Sequence, residues 1–136
     1  MTDPITSAVL AFNLLCTGVT TESSGLSKHK TPFTVELRVD LPNAKWCFGE
    51  CKSQDAIHEL RNDRIEFANE KSETLTTGYK SHLLTVNRET GEFYESQLIV
   101  LTGPVPLFGS NQTVVMSKGS CERKDFTGFP SITTKF

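Results

Sequence analysis

From Thr34 to Leu41 polar and apolar residues alternate without a break, Thr34, Glu36, Arg38 and Asp40 against Val35, Leu37, Val39 and Leu41. A period of two puts the apolar set on one face of a strand and the charged set on the other, the pattern of an antiparallel sheet with one buried and one wet side. The alternation recurs at residues 64–68, where Ile65 and Phe67 share a side. Residues 45–48 read as a short return strand, with Pro42-Asn43 as the hairpin corner. Residues 81–87 and 92–101 form a second hairpin across Arg88-Glu89-Thr90-Gly91, which places glycine where positive φ is most often needed. Residues 113–122 are the last long strand.

The chain between these strands is read from its breakers. The apolar stretch within residues 5–19 is a first buried strand, too short and interrupted to span a bilayer. Residues 20–32, rich in Thr, Ser, Lys and Gly and closed by Pro32, read as a mobile loop. At residues 53–60 a helical turn competes, because Ser53 can cap and Ile57 and Leu60 have helical spacing. Gly103, Pro104 and Pro106 break the chain into a loop, and the tail from residue 125 to 136 lacks a core pattern. Short strands joined by Gly, Pro and Asn turns predict one all-β domain over residues 1–136. An antiparallel barrel with a lipocalin- or calycin-like meander is the expected architecture, and a two-sheet β-sandwich is the alternative built from the same strands.

Composition changes this picture little. A net charge of -2, with basic residues scattered among acids, gives no stripe for nucleic acid. No Lys or Arg precedes Lys28, so no secretory leader is visible, and the compartment stays open between cytoplasm and export after removal of a leader. Four cysteines admit three complete pairings. One reading keeps all four as reduced, mostly buried thiols. The other pairs Cys47 with Cys51 across a small loop, and Cys16 with Cys121 between first and last strands. The second bridge closes a loop of about 100 residues, worth on the order of 4 kcal/mol.

Three segments together resemble a pattern found in small uncharacterised bacterial all-β proteins. They are the first-strand run ending Cys16-Thr17-Gly18, the turn Asn87-Arg88-Glu89-Thr90-Gly91, and the last-strand Gly119-Ser120-Cys121 followed by Phe126. The resemblance implies a compact β-fold, with a first-to-last strand disulfide in exported members. It implies no activity and no catalytic residue, and this chain departs from the exported pattern in having no visible leader.

Chemistry is harder to find. Cys47 and Cys51 have a spacing zinc accepts, with His58 or Cys121 to complete a set, but a second well-spaced pair is missing, so no metal or other cofactor is expected. His58 beside Glu59 points to the opposite face of an extended chain, and His29 and His82 have solvated or packed settings. No nucleophile elbow, zinc-protease pair or phosphate loop occurs, so no catalytic residue is assigned and a non-catalytic role is expected. Binding remains. Trp46, Phe93, Tyr94, Val105, Leu107 and Phe108 are the candidate lining of a barrel mouth that holds a small apolar ligand, with residues 103–109 beside the opening. Trp46 has an ordinary core role as its competing explanation. The rival function is a protein-interaction module that uses a loop or sheet edge, including self-association as a homodimer.

Overall fold

The computed structural model describes residues 10–74, 78–101 and 112–129. They form a single curled antiparallel sheet, a half-barrel, with no helix among the described residues. The strands are β1 (Ala11–Ser24), β2 (Ser27–Asp40), β3 (Lys45–Phe48), β4 (Asp55–Ala56), β5 (Glu59–Leu60), β6 (Arg64–Thr74), β7 (Gly78–Asn87), β8 (Glu92–Val100) and β9 (Gln112–Asp125). Their order across the sheet is β4-β3-β2-β1-β9-β8-β7-β6-β5. The hairpins predicted at Pro42-Asn43 and at residues 88–91 are both present. In the latter, Asn87 Oδ1 accepts from the amides of Glu89 and Thr90 at 2.8 and 2.9 Å, and Gly91 takes φ 79°.

Residues 20–32 are not a loop. They complete β1 and β2, pairing Thr20 with Thr31 and Ser24 with Ser27 around Gly25, which has φ 58°. Their polar composition reflects a hairpin whose far end carries exposed residues rather than an absence of regular structure. Residues 55–60 are extended rather than helical, because two neighbours claim their backbone in turn. Lys45 and Trp46 pair with Ala56 and Asp55, and Glu66 and Ile65 pair with Glu59 and Leu60. Between them the Ile57 amide donates to Ala44 O at 2.8 Å and the His58 amide to Phe67 O at 3.3 Å. The register shift between Glu66 and Ala68 sets Phe67 out of the β6–β7 ladder, so its carbonyl is available to His58. One short run therefore ties the two edges of the half-barrel at that end.

Register arranges the concave face in tiers. Val39, Phe12 and Asp125 lie in line across β2, β1 and β9, followed by Leu37, Leu14 and Arg123, then Val35, Cys16 and Cys121. Cys16 and Cys121 are bridged, their Cα atoms 3.9 Å apart, and Cys47 and Cys51 are bridged across the loop containing Gly49. The next tier is Phe33, Gly18, Gly119 and Phe93. Two side chains are missing from its middle, and the Phe33 and Phe93 rings meet there with centroids 5.2 Å apart. A Cβ on Gly18 would lie 2.0 Å from Lys118 O, and one on Gly119 1.9 Å from Thr17 O. Only glycine allows β1 and β9 to approach and coil this sharply.

The core fills the tied end. Leu14, Leu37, Val39, Trp46, Phe67, Leu84, Val86 and Phe93 are buried there, and the Trp46 and Phe67 rings pack 5.2 Å apart between β3 and β6. The tail from Phe126 to Phe129 lies against the outer face of β1 and β2. Buried Asn13 donates from Nδ2 to Glu36 Oε1 at 3.1 Å and to Thr127 Oγ1 at 2.9 Å, and Arg38 Nη1 donates to Gly128 O at 2.7 Å.

Candidate functional site

The mouth of the half-barrel arises from strands of unequal reach. β8 starts at Glu92, opposite Ser120, and the Asn87–Gly91 turn stops the β7–β8 hairpin there. β1 and β9 run on beside each other to Phe12 and Asp125. The stagger leaves a cavity of about 390 Å³ beneath the turn, lined by Leu10, Phe12, Leu14, Leu41, Ile65, Val86 and Cys121. Its volume is within the range of small-molecule sites, which are typically concave and largely apolar. Residues 87–91 and Arg123 form the rim.

Each wall residue has a structural reason to be there. Phe12 and Leu14 are the inward positions of β1 at its start, and Ile65 and Val86 are directly paired on β6 and β7. Leu41 directly follows β2, and its amide donates to Leu10 O at 3.0 Å, which brings Leu10 and Leu41 to the same edge. Arg123 is the inward residue two positions beyond Cys121, and its guanidinium carbon lies 4.9 Å from the centre of the Phe12 ring. Arg88 Nη1 donates to Arg61 O at 3.0 Å. Arg61 itself pairs with Glu59 at 2.9 Å, and that hydrogen bond raises its pKa. It is an exposed surface pair of small energetic weight.

A polar tier lies on the opposite side of the Phe33–Phe93 contact. Thr20, Ser117 and Glu95 are in register across β1, β9 and β8. Thr20 Oγ1 and Ser117 Oγ share a hydrogen bond at 2.7 Å, and His82 Nε2 meets Glu95 Oε2 at 2.7 Å. Serine, histidine and carboxylate thus share one face, but in the wrong order for acyl transfer. The carboxylate stands between histidine and serine, whereas nucleophilic catalysis needs the imidazole beside the hydroxyl. The cysteines are bridged and offer no thiolate, so Cys47 and Cys51 are not zinc ligands. No cluster of three or more His, Cys, Asp and Glu fit to hold a metal occurs among the described residues.

The candidate ligand residues fall in three places. Trp46 and Phe93 are 3% exposed and belong to the core, Trp46 packing on Phe67 and Phe93 on Phe33. Tyr94 follows Phe93 in β8 and faces the convex side, opposite Lys118. Val105, Leu107 and Phe108, with the rest of residues 103–109, lie outside the described residues. The fold gathers none of Trp46, Phe93 and Tyr94 into the mouth. The residues it does gather, Phe12, Leu14, Leu41, Val86, Arg88 and Arg123, were legible only through parity. Once Cys16 pairs with Cys121, counting by twos puts Phe12, Leu14 and Arg123 on the cysteine face.

No protein family, curated protein or solved structure matches the chain. Among the described residues no helix is long and apolar enough to cross a membrane.

Proposed function

We propose that this protein binds a small, largely apolar ligand at the mouth of its half-barrel. The observation that carries the reading is the cavity walled by Leu10, Phe12, Leu14, Leu41, Ile65 and Val86, open at the end where β1 and β9 outrun β8. The interior beyond it is filled by Leu37, Val39, Trp46, Phe67 and Leu84, which supports a site at the mouth rather than deep in the sheet. Leu10 is 37% exposed at that edge, an apolar side chain left for a ligand to cover. The other large exposed apolar residues, among them Val19 on β1, Leu26 at the hairpin tip and Leu60 on β5, lie on separate elements, as scattered surface residues do.

Titration with the neutral probe N-phenyl-1-naphthylamine tests the reading. Its fluorescence should rise and saturate with the wild-type chain. Phe12→Asp and Leu10→Asp should each abolish the rise while circular dichroism still reports the sheet. Absence of a saturable rise, or a rise indifferent to both substitutions in folded protein, would refute it.

A further inference from the structure

The convex face of the sheet carries a groove of its own. Phe12, Leu14 and Cys16 set the inward parity of β1, so Val19, Thr21 and Ser23 point outward. Thr21 and Ser23 are small, and each is flanked in register by longer side chains. Lys30 and Lys28 stand on β2 to one side, Met116 and Val114 on β9 to the other. Short residues between long ones leave a channel of about 460 Å³ along β1, with Val19 and Lys118 paired at one end. One bank is basic along its length and the other is apolar and half-buried.

The three lysines are exposed, and no ion pair among the described residues includes them. Glu22 alternates to the concave side, opposite His29. Glu92 and Glu122 share the convex face but lie past Lys118, opposite Ser120 and Leu15, and do not line the groove. Of the chain's 16 acidic residues only Asp3 lies outside the described residues, one carboxylate against three ammonium groups. The same face holds a peptide segment at its other end, where Asn13 and Arg38 donate to Thr127 and Gly128 of the tail.

We propose that this groove docks an extended peptide of a partner protein in which acidic and apolar residues alternate. An extended chain repeats its side chains on one side at intervals of about 6.8 Å, as Lys28 and Lys30 do along β2 and Val114 and Met116 along β9. Laid along β1, such a peptide turns its carboxylates to the lysine bank and its apolar side chains to the other. A single-headed amphiphile carries its charge at one end and does not match banks that run side by side. A polyanion leaves the apolar bank uncovered. The ion pairs form at the surface, so they stay solvated and weaken with salt.

Fluorescence anisotropy of fluorescein-labelled peptides, titrated with the full chain, tests this. A peptide of alternating glutamate and leucine should bind saturably, about tenfold tighter than one with the same residues in two blocks. Lys28→Glu/Lys30→Glu, at two exposed positions, should weaken that binding about tenfold and admit a peptide of alternating lysine and leucine instead. Circular dichroism of this variant, and its response to the naphthylamine probe, should stay as in the wild type. Absence of saturable binding, equal affinity for the block-ordered peptide, or indifference to the charge reversal in folded protein would each overturn the proposal. Retention on phosphatidylserine vesicles without peptide binding would assign the face to a membrane and overturn it too.

Discussion

Gly119→Ala tests the central structural argument, that two glycines let the sheet coil until Phe33 and Phe93 meet. The added Cβ would lie 1.9 Å from Thr17 O, 2.7 Å from Thr17 C and 2.8 Å from Gly18 Cα, all backbone atoms of the neighbouring strand. Even a contact of 3.0 Å requires β1 and β9 to part by more than 1 Å at this register position. That movement weakens the ladder bonds on either side, worth about 1 kcal/mol each, and separates two rings whose contact is worth about 1 kcal/mol. The expected loss is about 3 kcal/mol. Gly49→Ala is the internal calibration. Nothing lies within 4 Å of its Cβ, but its φ of +44° is costly for alanine, so it should lose about 1 kcal/mol. Guanidinium denaturation of both variants with bridges intact supplies the numbers, and near-ultraviolet circular dichroism reports the phenylalanine packing. An unstrained Gly→Ala change stabilises by about 0.4–1 kcal/mol through the unfolded chain. A Gly119→Ala variant that gained stability, or lost no more than Gly49→Ala, would refute the close-approach argument.

Two further outcomes follow from the same geometry. The Cys16–Cys121 bridge spans a sequence separation of 105 and the Cys47–Cys51 bridge one of 4, so chain entropy assigns about 4.7 and about 1.9 kcal/mol to them; denaturation of the Cys16→Ala/Cys121→Ala and Cys47→Ala/Cys51→Ala variants should rank them so, and equal losses or the reverse order would count against the entropic account. Asn13→Ala removes the side-chain bonds to Glu36 and Thr127, which should cost about 2 kcal/mol and speed amide exchange at residues 126–129 while leaving β7 and β8 unchanged; unaltered exchange in the tail would show that other contacts hold it.

The parts of the fold legible in sequence were those governed by local rules. The alternation at residues 34–41 fixes which side of β2 is buried, and Leu37 and Val39 are fully covered as it predicts. Asn87 and Gly91 make their turn through one side chain and one positive φ, both local. What was not legible depends on partners distant in the chain. Residues 20–32 have the composition of a loop and become strand because Thr20–Ser24 and Ser27–Thr31 pair with each other, and β9 pairs with β1 on its other edge. Residues 55–60 have a helical spacing of Ile57 and Leu60, yet the carbonyls of Ala44 and Phe67 accept the amides of Ile57 and His58. Trp46, Phe93 and Tyr94 do not line the mouth together for a related reason. Aromatic character marks both cores and sites, and only register tells that Trp46 and Phe93 point into packed layers while Tyr94 points away.

The candidate site is a consequence of strand length more than of composition. Had β8 begun five residues earlier it would have run beside β9 to its end, and its inward side chains would have filled the space now under the 87–91 turn. The long β1–β9 ladder is thus supported on one side only at its last residues, and the Cys16–Cys121 bridge sits just where β8 ceases to help, with the Cys121 amide donating to Gly91 O at 2.8 Å. The disulfide and the turn bond hold the rim strand in place, while the Phe33–Phe93 contact one tier above separates the apolar mouth from the Thr20, Ser117, Glu95 and His82 tier. Reduction of the long-range bridge should therefore loosen the mouth before it unfolds the sheet. Loss of naphthylamine binding on reduction, with amide protection of β6 and β7 retained, is the expected result. Concerted loss of binding and protection would mean that rim and sheet are one cooperative unit.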